Sequence, residues 1–202
     1  MDTKSERISV VVPVYDEEKN IRPFLQRLEP VLEKIVDTYE IIFVLDPCTD
    51  QTEPIIVEEI QRNPAIRLLG MSRRFGQPAA TMAGILNSGG DYCVVIDVDL
   101  QDPPELIEDL YKEAIRGYEV VYATRRSRVG ETYIKKKISS FGYWLIDKLS
   151  EVPIPPETGD FRIMSRRVIE ELSKLNESHA FLRGLVAYVG FSQSSVLYDR
   201  DE

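Results

Sequence analysis

The chain has 202 residues, 43% of them hydrophobic and 29% charged, enough for one globular domain with a real core. Its formal net charge of -9 disfavours general nucleic-acid binding, and no apolar run is long enough to span a bilayer. Cys48 and Cys93 show no metal-ligand or redox spacing, the single histidine, His179, excludes multi-histidine metal sites, and the N-terminal residues lack a signal-peptide pattern, so a reducing cytoplasm is expected.

Residues 8–14 form a near-continuous β-branched run, the mark of a strand buried on both faces. Asp16-Glu17-Glu18 is expected to open a helix carrying Ile21, Phe24, Leu25, Leu28, Val31, Leu32 and Ile35 at helical spacing, its acids complementing the helix dipole. Pro30 is expected to kink or divide it. A strand follows over 39–45, a turn over 46–50, a helix over 52–62, a strand over 66–71 and a short Ala-rich helix over 78–86. Residues 92–96 read as a fourth strand, 104–116 as a helix and 119–123 as a fifth strand. This alternation predicts an α/β fold with a mainly parallel central sheet flanked by helices. Ligands in such sheets bind outside the carboxyl ends of the strands. Tyr15-Asp16-Glu17, the 46–50 turn, Ser72-Arg73-Arg74, Asp97-Val98-Asp99 and Thr124-Arg125-Arg126 should therefore collect on one edge.

The stretch Ile96-Asp97-Val98-Asp99-Leu100-Gln101-Asp102-Pro103-Pro104-Glu105 carries the most chemistry. Alternate strand residues share a face, so Asp97 and Asp99 are expected to point together from a strand end. Adjacent carboxylates repel unless a cation separates them, and hard oxygen ligands suit Mg²⁺ or Mn²⁺. The plainer reading is an acidic strand-to-helix loop with Asp102 as an N-cap.

Beyond residue 125 the pattern changes. Residues 133–149 read as an amphipathic helix that begins with Lys135-Lys136-Lys137, just after Arg125, Arg126 and Arg128. A basic cluster in an acidic chain fits an anionic membrane surface or a lipid phosphate; solvated lysines on a packed helix are the alternative. Residues 152–156 are a rigid, Pro-rich loop, 159–164 a short strand with Asp160 at its mouth, 166–175 and 180–188 helices, and 193–198 a last strand. We expect a single domain over 1–202, in which the second half extends the sheet. Phosphate-binding P-loop, dinucleotide and acyl-hydrolase motifs are absent. What remains is an acidic metal site beside arginines, suited to a nucleoside diphosphate.

Five motifs in order carry a resemblance: Val12-Pro13-Val14-Tyr15-Asp16-Glu17-Glu18, Arg73-Arg74-Phe75-Gly76-Gln77, Asp97 to Glu105, Gly159-Asp160-Phe161-Arg162 and Phe181-Leu182-Arg183-Gly184. The chain resembles family 2 glycosyltransferases of the GT-A fold, in the branch that loads polyisoprenyl phosphates. The resemblance implies that Pro13, Tyr15 and Glu17 hold the nucleotide, with Asp46 beside them. It implies that Asp97, Asp99 and Gln101 bind a divalent ion, that Arg125, Lys135 and Ser139 look toward the acceptor phosphate, and that the domain divides into a nucleotide-sugar and metal half (1–125) and an acceptor half (126–202). Asp160 is the candidate catalytic residue, with Asp97, in an inverting transfer of a hexose, glucose, from a UDP-sugar to undecaprenyl phosphate at the cytoplasmic face of the cell membrane. GDP-mannose as donor, a non-lipid acceptor and a non-catalytic nucleotide-sugar binder are the alternatives, and a homo-oligomer is left open. The sequence departs from the family pattern at Leu45-Asp46-Pro47-Cys48, where the family has Asp-Asp-Gly-Ser. The family also continues past the last strand, in many members into transmembrane helices, so two expectations stand: a C-terminal membrane segment missing from this chain, or membrane contact that rests on the basic helix alone.

Overall fold

A computed structural model describes residues 6–125, 158–175 and 182–198. The described residues form the strands β1 (Arg7–Val14), β2 (Thr38–Leu45), β3 (Ile66–Gly70), β4 (Tyr92–Val95), β5 (Val120–Arg125), β6 (Thr158–Ser165) and β7 (Gln193–Tyr198). They make one sheet in the order β3-β2-β1-β4-β6-β5-β7. Neighbouring pairs are parallel except those of β6, which runs against β4 and β5. In the centre, Val10 stands between Ile41 and Val94.

The helices are α1 (Ile21–Ile35), α2 (Thr52–Arg62), α3 (Gln77–Leu86), α4 (Ile107–Ala114), α5 (Arg166–Ser173) and α6 (Leu182–Tyr188). Both faces of the sheet are covered because β1, β2 and β4 are apolar on both. Val10, Val12, Phe43 and Val94 pack with Phe24, Leu28, Ile56 and Leu110 of α1, α2 and α4. Val11, Val44 and Val95 pack with Ala80, Ile85, Val168, Leu172 and Val186 of α3, α5 and α6. Helix α3 lies close: a Cβ at Gly84 would clash with Cγ1 of Val11 and stand 2.8 Å from Cγ2 of Val44. This contact fixes the helix whose first residue, Gln77, reaches the site.

Three expectations need correction. The acids at 16–18 do not open α1, which begins at Ile21. Asp16 has φ 54°, and the amides of Glu17 and Glu18 donate to Thr52 Oγ1 and Asp50 Oδ2 across the sheet edge. Pro30 does not divide α1, which runs unbroken over Ile21–Ile35; Pro30 sits on its exposed side, where a missing N–H is tolerated. Strand β4 ends at Val95, so Asp97 and Asp99 sit in a turn rather than on alternate strand positions. The predicted helix over 133–149 and the loop over 152–156 lie outside the described residues.

Candidate functional site

The sheet order reverses between β1 and β4, since β2 and β3 lie beyond one and β6 beyond the other. Crevices form at such points, outside the carboxyl ends of the strands. A cavity of about 220 Å³ opens there, lined by Pro13, Val14, Tyr15, Glu17, Asp46, Gln77, Ala80, Asp97, Val98 and Asp99. Pro13, Tyr15, Glu17, Asp46, Asp97 and Asp99, singled out in the sequence, thus share one cleft.

The walls of this cleft are latched together. Asp16 Oδ1 accepts from the Thr49 amide at 2.8 Å, Cys48 Sγ accepts from the Asp16 amide at 3.2 Å, and Cys48 Sγ donates to the Asp46 carbonyl at 3.1 Å. Cys48, where the family pattern has serine, thus links the Asp16 amide to the Asp46 carbonyl. Asp16, Cys48 and Asp50 bring ligand-type atoms within 4.8 Å of one another, but these contacts already engage them. Asp46 is 3% exposed. Its two oxygens accept the amides of Phe75 and Gly76 at 3.2 and 2.8 Å. It thereby holds the loop leading into α3, where Gly76 at φ 88° makes a turn that other residues rarely adopt. Beyond the loop, the Arg74 guanidinium stacks 3.8 Å from the centre of the Tyr15 ring.

Asp97 is half-buried. Burial, and then the charges of Asp99, Asp160 and Asp102, push its carboxyl up to about 6, against a hydrogen bond from Gln77. So much negative charge in one place fits a divalent cation, and carboxylates are the donors that Mg²⁺ and Mn²⁺ prefer. The turn that gathers it passes through Leu100 at φ 61°, and the Gln101 amide closes it by donating to Asp99 Oδ1 at 3.0 Å. The Gln101 side chain is exposed and does not line the cleft.

A second cavity, of about 340 Å³, adjoins the first and is lined by Gln77, Asp97, Asp102, Arg125, Gly159, Asp160 and Arg183. Gln77 and Asp97 belong to both. Asp160 reaches it because β6 is antiparallel, so its first residues meet the last residues of β4 and β5. Asp102 is not an N-cap: the 3₁₀ turn at Pro104–Leu106 has no side-chain cap. Instead Asp102, 5% exposed, accepts from the Tyr198 hydroxyl and, at 3.2 Å, from Arg125. Arg125 Nε also donates to the Tyr198 oxygen at 3.0 Å. Arg125 is thus held at the cavity by β7. Lys135 and Ser139 lie outside the described residues.

Gln77, Arg183 and Tyr198 carry no separate role in the sequence, and Asp102 reads there only as an N-cap, although Gln77, Asp102 and Arg183 stand inside the motifs. Their signal is no more than a polar side chain in or after a motif, and only the packing of distant elements gives it meaning.

Among the described residues, no helix is long and apolar enough to cross a membrane. Residues 9–173 match the family model described as glycosyl transferase family 2. The chain is 44% identical over 194 residues to an uncharacterized glycosyltransferase of Bacillus subtilis, YkcC, covering 96% of this chain and 60% of that protein. It is 37% identical over 196 residues to the bactoprenol glucosyl transferase of Shigella phage SfV, covering 97% of this chain and 64% of that one. The chain therefore spans about three fifths of the length of these relatives. The fold is similar to that of Mycobacterium tuberculosis glucosyl-3-phosphoglycerate synthase, solved with Mn²⁺, UDP and glucosyl-3-phosphoglycerate. The TM-score is 0.68 at 18% identity, over 98% of this chain and 72% of the other. With a family match over most of its length and a relative 44% identical, the GT-A-like chain belongs to glycosyl transferase family 2.

Proposed function

We propose that the protein transfers glucose, with inversion, from UDP-glucose to a polyisoprenyl phosphate such as undecaprenyl phosphate, at the cytoplasmic face of the membrane. The observation that carries this reading is the shared wall: Gln77 and Asp97 separate a cleft at the β1/β4 switch from a second cavity that holds Asp160 and two arginines. One cavity suits a nucleotide sugar and the other a phosphate-bearing acceptor. The relative named as a bactoprenol glucosyl transferase supports that choice of sugar and acceptor.

In this reading Pro13, Tyr15 and Glu17 hold the nucleoside, with the Tyr15–Arg74 stack at its rim. Asp97 and Asp99, which line the cleft, would hold Mg²⁺ or Mn²⁺, which when bound offsets the charge on the leaving diphosphate. Arg125 faces the acceptor phosphate. A phosphate monoester has a second pKa of about 6, so near neutrality it already presents a nucleophilic oxygen. One such oxygen attacks the anomeric carbon, the bond from that carbon to the UDP oxygen breaks, and its electron pair leaves with UDP. No protein base has to remove a proton, and Asp160 acts as a fixed anion that stabilises positive charge developing on the sugar.

The test incubates the chain with radiolabelled UDP-glucose, Mn²⁺ and undecaprenyl phosphate, then partitions the products. Label in the organic phase, dependent on both metal and lipid, is expected. Label that stays aqueous with the lipid and appears on a soluble acceptor would overturn the lipid assignment. Metal-dependent UDP binding with no turnover would overturn the enzymatic one.

A further inference from the structure

Arg162 is an unusual residue to find inside a strand. It is 0% exposed, and it has no carboxylate wholly to itself. Its Nε donates to the Asp160 carbonyl at 3.1 Å and its Nη2 to the Gly159 carbonyl at 3.0 Å and to Asp160 Oδ1 at 3.3 Å. Nη1 has no partner. The guanidinium carbon lies 5.0 Å from the centre of the Tyr122 ring, on the facing strand β5. Burial pulls the group down to about 10, so it stays a cation at neutral pH. A buried, partly satisfied cation is costly, and a structural tie between β5 and β6 would be made more cheaply by apolar side chains. The cost needs a function at the place where the charge is applied.

That place is Asp160. From the cavity side, Arg183 Nε donates to the same carboxylate oxygen, Oδ1, at 3.0 Å. The two arginines come from different elements, Arg162 from β6 and Arg183 from α6. Among the described residues no hydrogen bond to Oδ2 is seen. Arg162 also holds both carbonyls of the Gly159–Asp160 turn, so backbone and side chain are fixed by one group.

We infer that Arg162 and Arg183 form a clamp that fixes Asp160 through its backbone and Oδ1, and so makes Oδ2 the oxygen presented to the reacting sugar. Both are positioning residues in the transfer proposed above, on which this inference rests. The clamp acts after the donor has bound. Its loss lowers turnover and leaves donor affinity alone, which a role in folding alone would not do.

The experiment compares Arg162→Lys, Arg183→Gln, Asp160→Asn and the double variants Arg162→Lys/Asp160→Asn and Arg183→Gln/Asp160→Asn. The substrates are UDP-glucose and undecaprenyl phosphate with Mn²⁺. Each arginine variant is expected to lose at least about tenfold in kcat while KM for UDP-glucose stays within about twofold. In the Asp160→Asn background the same changes should cost less than about twofold more, because the group they position is already disabled. Arg183 is partly exposed, so Arg183→Gln tests the clamp even where Arg162→Lys does not fold. Arginine variants that keep wild-type kcat, or effects that multiply fully with Asp160→Asn, would overturn the clamp while the transferase assignment stands. A wild-type chain that moves no sugar would overturn both.

Discussion

Gln77 Nε2 donates to Asp97 Oδ1 at 2.7 Å, and these two side chains together divide the cleft at the β1/β4 switch from the cavity beside Asp160. The contact joins the first residue of α3 to the turn after β4. It gives a neutral donor to a carboxylate otherwise surrounded by acids.

Asp97 should therefore destabilise the protein when no cation is present. An unfolded aspartate titrates near about 4, whereas burial and the neighbouring acids place Asp97 at about 6. The folded chain holds the extra proton between those values, so its stability falls as pH rises through that window and stays low above it. The difference corresponds to at most about 3 kcal/mol. Asp97→Asn is expected to raise Tm in EDTA at pH 7.5 by several degrees, at about 2–4 °C per kcal/mol for a chain of this size. The same variant should lose the further rise produced by Mn²⁺ with UDP. Scanning fluorimetry with and without metal measures both, and an unchanged Tm in EDTA would contradict the electrostatic account.

Asp160→Asn keeps the shape of the side chain and removes its charge. If the carboxylate stabilises a developing cation, kcat falls at least about 100-fold with little change in the KM for UDP-glucose. Steady-state transfer assays decide this, and a variant retaining nearly full turnover would remove Asp160 from the mechanism.

Asp46 makes a separate prediction, about the loop rather than the chemistry. Asp46→Ala leaves the Phe75 and Gly76 amides without their acceptor. The expected cost is about 1–3 kcal/mol in urea unfolding, together with weaker UDP binding by calorimetry, because Gln77 and Arg74 flank the freed segment. Wild-type stability would show that water replaces the carboxylate at no cost.

Glu40 supplies a control at the opposite edge of the sheet. It is 1% exposed and accepts from Ser9, the Gly89 amide and Arg67, with Arg7 at 3.2 Å. Burial raises its pKa, but the hydrogen bonds from Ser9, Arg67 and the Gly89 amide and the charge of Arg7 outweigh it and hold the carboxyl below its ordinary value. Its contribution is present above the ordinary glutamate range and is lost as pH falls through the lowered value. Glu40→Gln should cost about 1–3 kcal/mol near neutrality, lose less as the pH is lowered, and leave kcat unchanged.

The elements and most of the cleft follow from the order of the amino acids alone. Apolar runs at 8–14, 39–45 and 92–96 had to be buried strands because both of their faces are hydrophobic, and chain alternation then put the ends of β1, β2 and β4 on one edge. Tyr15, Glu17, Asp46, Asp97 and Asp99 were legible for that reason, and Pro13 through the family resemblance. What the remaining polar groups do depends on contacts between elements far apart in the chain. Asp102 read as a cap until β7 brought Tyr198 against it, 96 residues away. The acids at 16–18 read as a helix start until the loop after β2 supplied them with Thr52 and Asp50. Arg162 carried no signal of its own, since a charged residue in a strand normally faces water. Its burial against Tyr122, behind Asp160, follows from the reversed direction of β6, a non-local pairing that local periodicity does not encode.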